Sequence, residues 1–368
     1  MKTKKSCSAV LALGLVGALG LAACGAAPSD SGGSGSGGAA NDFKACMVSD
    51  EGGFDDQSFN QSGMEGLQRA KEELGVQIVG VESNSDADFQ PNIDSLIQQN
   101  CDLIIGVGFV IAPALTEAAQ ANPDVQFAII DSVFQTADGK PVELDNGKPL
   151  SFNTAEASYL AGYVAAGTTT SGTVATYGGV AIPTVQIFME GYAQGVAKYN
   201  EEHGTNVQVL GWDPANPGAG SFTGDFSDTA KGQQLTQQFL SQGADIIMPV
   251  AGPVGQGTLA ALQDAGSTSN AAIWVDADGY NTTEFGSYML TSVIKEIGNA
   301  VYDTIEQSLK GDFNSEPYVG TLENGGVSIA EFHDWDSRVP DQVKTDVEAI
   351  RKKIIDGSLD VSTPYDPS

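Results

Sequence analysis

The sequence predicts an α/β protein built as two Rossmann-like lobes joined by a multi-strand hinge, and three observations predict it. From Phe43 onward, short apolar runs alternate with stretches of helical period, the mark of βαβ units on a parallel sheet. That series stops after Asp131 and a second one begins at Gly172. The body is also longer than the roughly 250–300 residues at which a single hydrophobic core stops growing.

The segment ahead of the body reads as processing and tether. Lys2, Lys4 and Lys5 form a positive start, residues 9–21 are apolar but too short to span a bilayer, and Leu21-Ala22-Ala23-Cys24 is a lipobox. Residues 1–23 are therefore expected to be a lipoprotein signal peptide, with Cys24 the acylated residue. An ordinary secretory signal with an incidental cysteine is the alternative. Against it stands the Gly/Ser/Ala-rich run at 28–41, which can bury nothing and makes 24–42 a flexible linker behind an anchor. The expected location is the extracytoplasmic face of the cell membrane.

In the first series, strands are expected at 44–49, 77–81, 103–107 and 126–130, and helices at 58–74, 89–99 and 112–121. A polar hairpin-like insertion, D-G-K-P-V-E-L-D-N-G-K-P, precedes a helical run at 156–166. The second series has strands at 172–177, 207–212, 245–249 and 271–275, with helices at 185–203, 229–242 and 257–263. The segments at 288–293, 292–309 and 326–332 are too few to make a lobe, so they are expected to return and complete both. The expected division is 43–152 plus 280–312 for the N-terminal lobe, and 153–279 plus 313–368 for the C-terminal lobe. Repeated crossings make a hinge, and the cleft beside a hinge suits a small molecule.

Charge and cysteines narrow the function. The formal net charge is −30, and loss of the signal lysines would make the body more acidic still, which excludes nucleic-acid binding. No further apolar run approaches the roughly 18 residues of a spanning helix, so lipid would be the anchor. Cys46 and Cys101 are the thiols left to the body. Both begin predicted strands that neighbour each other in a doubly wound sheet, so they are either bridged, as export favours, or two buried thiols. Two cysteines with the distant His203 and His333 do not make a metal site.

The stretch V-S-D-E-G-G-F-D-D-Q-S-F-N-Q-S-G-M-E-G, 48–66, joins the first strand to the first helix. Ligands sit beyond the carboxyl ends of such strands. Asp50, Phe59 and Asn60 are its candidate contacts, while its carboxylates shield the helix N-terminus against phosphate. Asp55 or Asp56 can cap the helix, and Ser58 with Gln61 fits a capping box.

That stretch, followed in order by F-A-I-I-D, A-S-Y-L-A-G, Y-G-G-V-A-I-P-T-V-Q-I-F-M-E-G-Y, Q-G-A-D-I-I-M-P-V-A-G, W-V-D-A-D-G-Y and T-S-V-I-K, resembles the basic membrane protein family. These are substrate-binding lipoproteins of ABC importers related to purine nucleoside receptors. The resemblance implies a type I periplasmic-binding-protein fold, usually monomeric, that closes on a nucleoside and delivers it to a permease and ATPase, with no cofactor and no catalysis. It implies that Phe59 and Phe188 sandwich the base, that Asp50, Asn60 and Asp131 read its edges, and that Asp276, Lys295 and Gly252 hold the ribose. Pro253 and Gly279 depart from the family pattern near the sugar end, which loosens the expectation of ribose. Other readings of these residues are core packing for Phe188, helix capping for Asp131 and Asp276, a solvated helix position for Lys295, lobe packing for Trp212 and Trp274, and a turn role for Asp278. A metal-assisted nucleoside hydrolase is the enzyme alternative, and the aspartates lack the alternating ligand run it needs. An adhesin or signalling receptor on the same scaffold is the other.

Overall fold

A computed structural model describes residues 42–367; the expected signal peptide, Cys24 and most of the linker lie outside the described residues. The chain lays down β1 (Lys44–Val48), α1 (Phe59–Leu74), β2 (Gln77–Val81), α2 (Asp86–Gln98), β3 (Leu103–Val107), α3 (Ala112–Ala121), β4 (Gln126–Ile130) and β5 (Gly147–Phe152). It continues with α4 (Thr154–Thr168), β6 (Thr173–Gly178), α5 (Pro183–His203), β7 (Gln208–Leu210), α6 (Thr229–Ser241), β8 (Ile246–Val250), α7 (Gly255–Ala265), β9 (Ala271–Asp276), α8 (Gly279–Thr282) and β10 (Met289–Lys295). Last come α9 (Ile297–Lys310), β11 (Tyr318–Gly320), β12 (Val327–Ile329) and α10 (Asp341–Ile355).

The strands form two six-stranded sheets, ordered β11-β5-β4-β3-β1-β2 and β12-β10-β9-β8-β6-β7. Each repeats the doubly wound order 2-1-3-4-5 and gains one late strand at its edge. All pairs are parallel except β10 with β12. Helices on both faces explain why β3 and β8 are buried along their whole length and read as unbroken apolar runs. This is the type I periplasmic-binding-protein architecture.

The late segments divide between the lobes differently from the expected 280–312 and 313–368. β10 lies in the second sheet, where Val293 pairs with Val275 and Ile294 with Asp276. The chain crosses only after it, and α9 packs on α1 of the first lobe. The two helices meet backbone to backbone: a Cβ on Gly66 would lie 2.4 Å from the Gly298 carbonyl oxygen, so that position leaves no room for a side chain. β11 then joins the first sheet beside β5, with Tyr318 opposite Leu150, before the chain returns to β12. The three crossings are stitched together, with Asn153 N–H donating to Gly320 O (2.8 Å), Glu296 N–H to Gly326 O (2.9 Å) and Leu322 N–H to Glu156 Oε2 (2.7 Å). β1 lies beside β3, Cys101 stands just ahead of β3, and a disulfide joins it to Cys46 across a Cα–Cα distance of 6.0 Å.

Candidate functional site

The carboxyl ends of the two sheets face each other across a cavity. Asp50, Phe59, Asn60, Asp131, Phe188, Gly252, Asp276 and Lys295, the eight residues expected at a ligand, all stand on its wall.

The first jaw is built by the loop after β1. Gly52 and Gly53 turn it with positive φ of 119° and 73°, backbone that favours glycine. Asp50 fits because β3 is followed by Gly108, where a Cβ would come within 2.4 Å of Asp50 Oδ2. Asp56 is buried and ties down the start of α1, accepting from the backbone N–H of Ser58 (3.0 Å), Asn60 (2.9 Å) and Gln61 (3.0 Å). The expected capping box does not form. The Ser58 hydroxyl turns to the second lobe instead and donates to Val275 O (3.0 Å) and Asp276 Oδ2 (2.9 Å), because Asp56 already satisfies the helix N–H groups it would have capped. Asp55 is exposed and takes no part in the cap.

Asn60 completes this jaw. Its Nδ2 donates to Asp50 Oδ1 (2.8 Å) and to Asp56 Oδ2 (3.1 Å), while its Oδ1 is buried with no hydrogen-bond partner among the described residues. Burial, with the nearby carboxylates of Asp56, Glu51 and Asp276 adding to it, pushes the Asp50 carboxyl up to about 8 against the pull of Asn60.

Asp131 ends β4 and Asp276 ends β9, and both hold the left-handed backbone region, with φ of 59° and 70°. Such conformations cost energy for a non-glycine residue and collect at functional sites. Here they aim two carboxylates from opposite lobes at one ammonium: Lys295 Nζ lies 2.5 Å from Asp131 Oδ2 and 2.9 Å from Asp276 Oδ1. Burial opposes the lysine's charge, but the two carboxylates outweigh it and hold the ammonium above its ordinary value. Lys295 thus lies at the end of β10 and buried, not on a solvated helix. Its Nζ also stands over the rings of Phe59 and Phe188, 4.7 and 5.0 Å from their centroids, which brings one aromatic of each lobe to the same charged group.

Other residues took structural places. Trp274 packs in the second lobe and sends its indole N–H to Gln57 O at 3.0 Å. Trp212 donates to Glu190 Oε2 at 2.8 Å. Asp278 caps α8 by accepting from Tyr280 N–H, and pairs with His333 at 2.8 Å. His203 sits against Tyr199 and Tyr163, away from the cavity. Gly252 adopts a positive φ of 51°, and the neighbouring Pro253 lies against Gly52 of the other lobe. Sequence reasoning missed Phe109 and Phe226 on the wall; both lie in loops where no strand or helix period marks an inward face. Among the described residues no group of His, Cys, Asp and Glu is arranged to hold a metal ion.

Residues 43–363 match the family model described as "ABC transporter substrate-binding protein PnrA-like". The CD4+ T-cell-stimulating antigen of Listeria innocua is 32% identical, over 98% of this chain and 97% of that protein. The ABC transporter nucleoside-binding protein BmpA of Lactococcus lactis is 30% identical, over 97% of this chain and 99% of that protein. Among solved structures, an ABC transporter solute-binding protein of Aeropyrum pernix superposes with a TM-score of 0.77 at 26% identity, covering 88% of this chain and 94% of that one. A match that runs through both lobes, on a cleft lined from both, leaves one conclusion: the chain belongs to the PnrA-like family of ABC transporter substrate-binding proteins, which bind a substrate for transport rather than convert it.

Proposed function

We propose that the chain captures a nucleoside, in first place a purine nucleoside, between its lobes and delivers it to the permease and ATPase of an ABC importer, held at the outer face of the membrane by a lipid on Cys24. The observation that carries the reading is Phe59 and Phe188 flanking one cavity from opposite lobes. A flat heterocycle stacked between them buries area on both faces only when the lobes are together, so ligand shifts the population toward closure. Asp50, Asn60 and Asp131 supply acceptors for the N–H groups of a base. Asp276 and Lys295 supply an acceptor and a donor for vicinal hydroxyls, with Gly252 leaving its backbone open to the sugar. The name of the Lactococcus lactis relative supports the same ligand class.

A thermal-shift screen of purine and pyrimidine nucleosides tests the reading. A ligand that binds only the folded state stabilises it by about 2.7 kcal/mol at a hundredfold excess over Kd. A panel in which no nucleoside raises the melting temperature, while free sugars do, overturns it.

A further inference from the structure

Asn60 differs from the other polar groups of the cavity in having one side of its amide fully spent and the other side wholly free. Both Nδ2 protons are committed to carboxylates, Asp50 Oδ1 at 2.8 Å and Asp56 Oδ2 at 3.1 Å, and Oδ1 is buried without a partner among the described residues. A buried carbonyl oxygen left unpaired is costly, so the group it faces must bring a donor. The amide cannot turn over to offer its N–H instead. A flip would set Asn60 Oδ1 against Asp56 Oδ2, and Asp56 is already fixed by three backbone N–H groups of the α1 start. That lock does not depend on the state of Asp50, because Asp56 alone demands a donor from the amide.

We propose that Asp56 is a positioning residue that makes Asn60 an acceptor-only reader, so that the site selects nucleosides whose base carries an N–H at the edge facing Asn60. The proposal rests on the nucleoside reading above and adds a rule of selection to it. Adenosine offers an exocyclic N–H, and inosine and guanosine offer a ring N–H; purine riboside offers the same rings, the same ribose and acceptors alone. Stacking and sugar contacts are then equal across the series, so the wild-type difference reports the N–H groups of the base, and the Asn60 variant separates the share of Asn60 from that of Asp50 and Asp131.

Isothermal titration of the mature protein with adenosine, inosine and purine riboside tests this. The expected result is purine riboside at least about tenfold weaker than the other two, from the cost of an unpaired buried acceptor. In Asn60→Ala that gap should close, with adenosine and inosine falling to the level of purine riboside. Asp56→Asn frees the amide to turn, so the gap should narrow there too, a change in ratio that a purely structural cap would not produce. Should Asp56→Asn fail to fold, the Asn60→Ala comparison decides by itself. Wild-type affinities equal within twofold for all three ligands, or equal proportional losses for all three in Asn60→Ala, overturn the acceptor rule while leaving nucleoside binding standing. Binding of none of the three overturns the nucleoside reading itself.

Discussion

The two phenylalanines illustrate how little a residue's burial says about its task. Phe188 is 1% exposed and belongs to the main core cluster, yet the same ring borders the cavity, so packing and ligand contact are two sides of one side chain. Phe59→Ala and Phe188→Ala should each weaken nucleoside binding by roughly 1–3 kcal/mol, the range for base stacking on an aromatic. Titration giving wild-type affinity in both variants would remove the stacking slot. Asp50 carries a different expectation, read from pH. Its carboxyl is raised from 3.8 to about 8 by burial and by neighbouring carboxylates. Between those values the folded protein holds a proton that the unfolded chain has lost, so stability is fully present below the lower value and declines as pH rises through the upper one. Urea denaturation at pH 5 and pH 9 should show wild type losing more stability than Asp50→Asn over that interval. Equal losses in the two proteins would mean that Asp50 ionises as an ordinary surface carboxylate. These strand-end aspartates were legible because an acidic residue directly after an apolar run marks the rim of a parallel sheet. Their left-handed backbone and their joint ion pairing with Lys295 were not, since Asp131 and Lys295 lie 164 positions apart.

At the level of elements, the turn leading into α1 acts as a catch on the end of β9. Gln57 holds a positive φ of 59° and so presents its carbonyl to Trp274 Nε1 (3.0 Å) and Thr282 Oγ1 (3.1 Å) of the second lobe, while Ser58 Oγ reaches Val275 O (3.0 Å). A non-glycine residue keeps such backbone only when its surroundings over-determine it. Each hydrogen bond contributes about 1 kcal/mol, so Ser58→Ala and Trp274→Phe should each release ligand roughly fivefold faster with little change in association, the usual division of effects at an interface. Stopped-flow traces with unchanged release in both variants would show that the catch does not hold the closed lobes. The sequence pointed to a capping box at this turn because local spacing reveals only local partners; the true partners lie 217 and more positions away. For the same reason the doubly wound series were readable element by element, whereas the placing of β10 and β11 was not. Their sheets are chosen by pairing with strands laid down much earlier, and a short apolar run carries no record of its neighbour. The order of strands did make Cys46 and Cys101 neighbours, and of the two readings left open, a bridge or two buried thiols, the structure has the bridge. It closes a separation of 55 residues, and its removal should cost about 2–4 kcal/mol of stability; a double serine variant melting with wild type would place that estimate in error.

For the whole molecule, the sign of the charge and the shape of the cleft bear on one question, which phosphorylation state the site admits. The net charge of −30 repels anions at long range. At short range Glu51, Asp56, Asp131 and Asp276 line the cavity beside an Asp50 whose carboxyl burial keeps protonated near neutral pH, and Lys295 is the basic residue among the described lining residues. Its ammonium is already shared by two carboxylates from opposite lobes, so a phosphate would have to compete for it while entering a wall of like charge. No helix N-terminus compensates at α1, because Asp56 occupies the N–H groups that elsewhere bind phosphate. Adenosine should therefore bind at least a hundredfold more tightly than its 5′-monophosphate, the equivalent of about 2.7 kcal/mol. Raising the salt concentration should narrow the gap only in part, since screening weakens the long-range repulsion and leaves the buried carboxylates in place. Competition titrations at low and high ionic strength check both halves of the argument. A monophosphate that binds as tightly as the nucleoside would show that the carboxylates are protonated or displaced in the occupied site, and that the cavity's charge does not set the ligand.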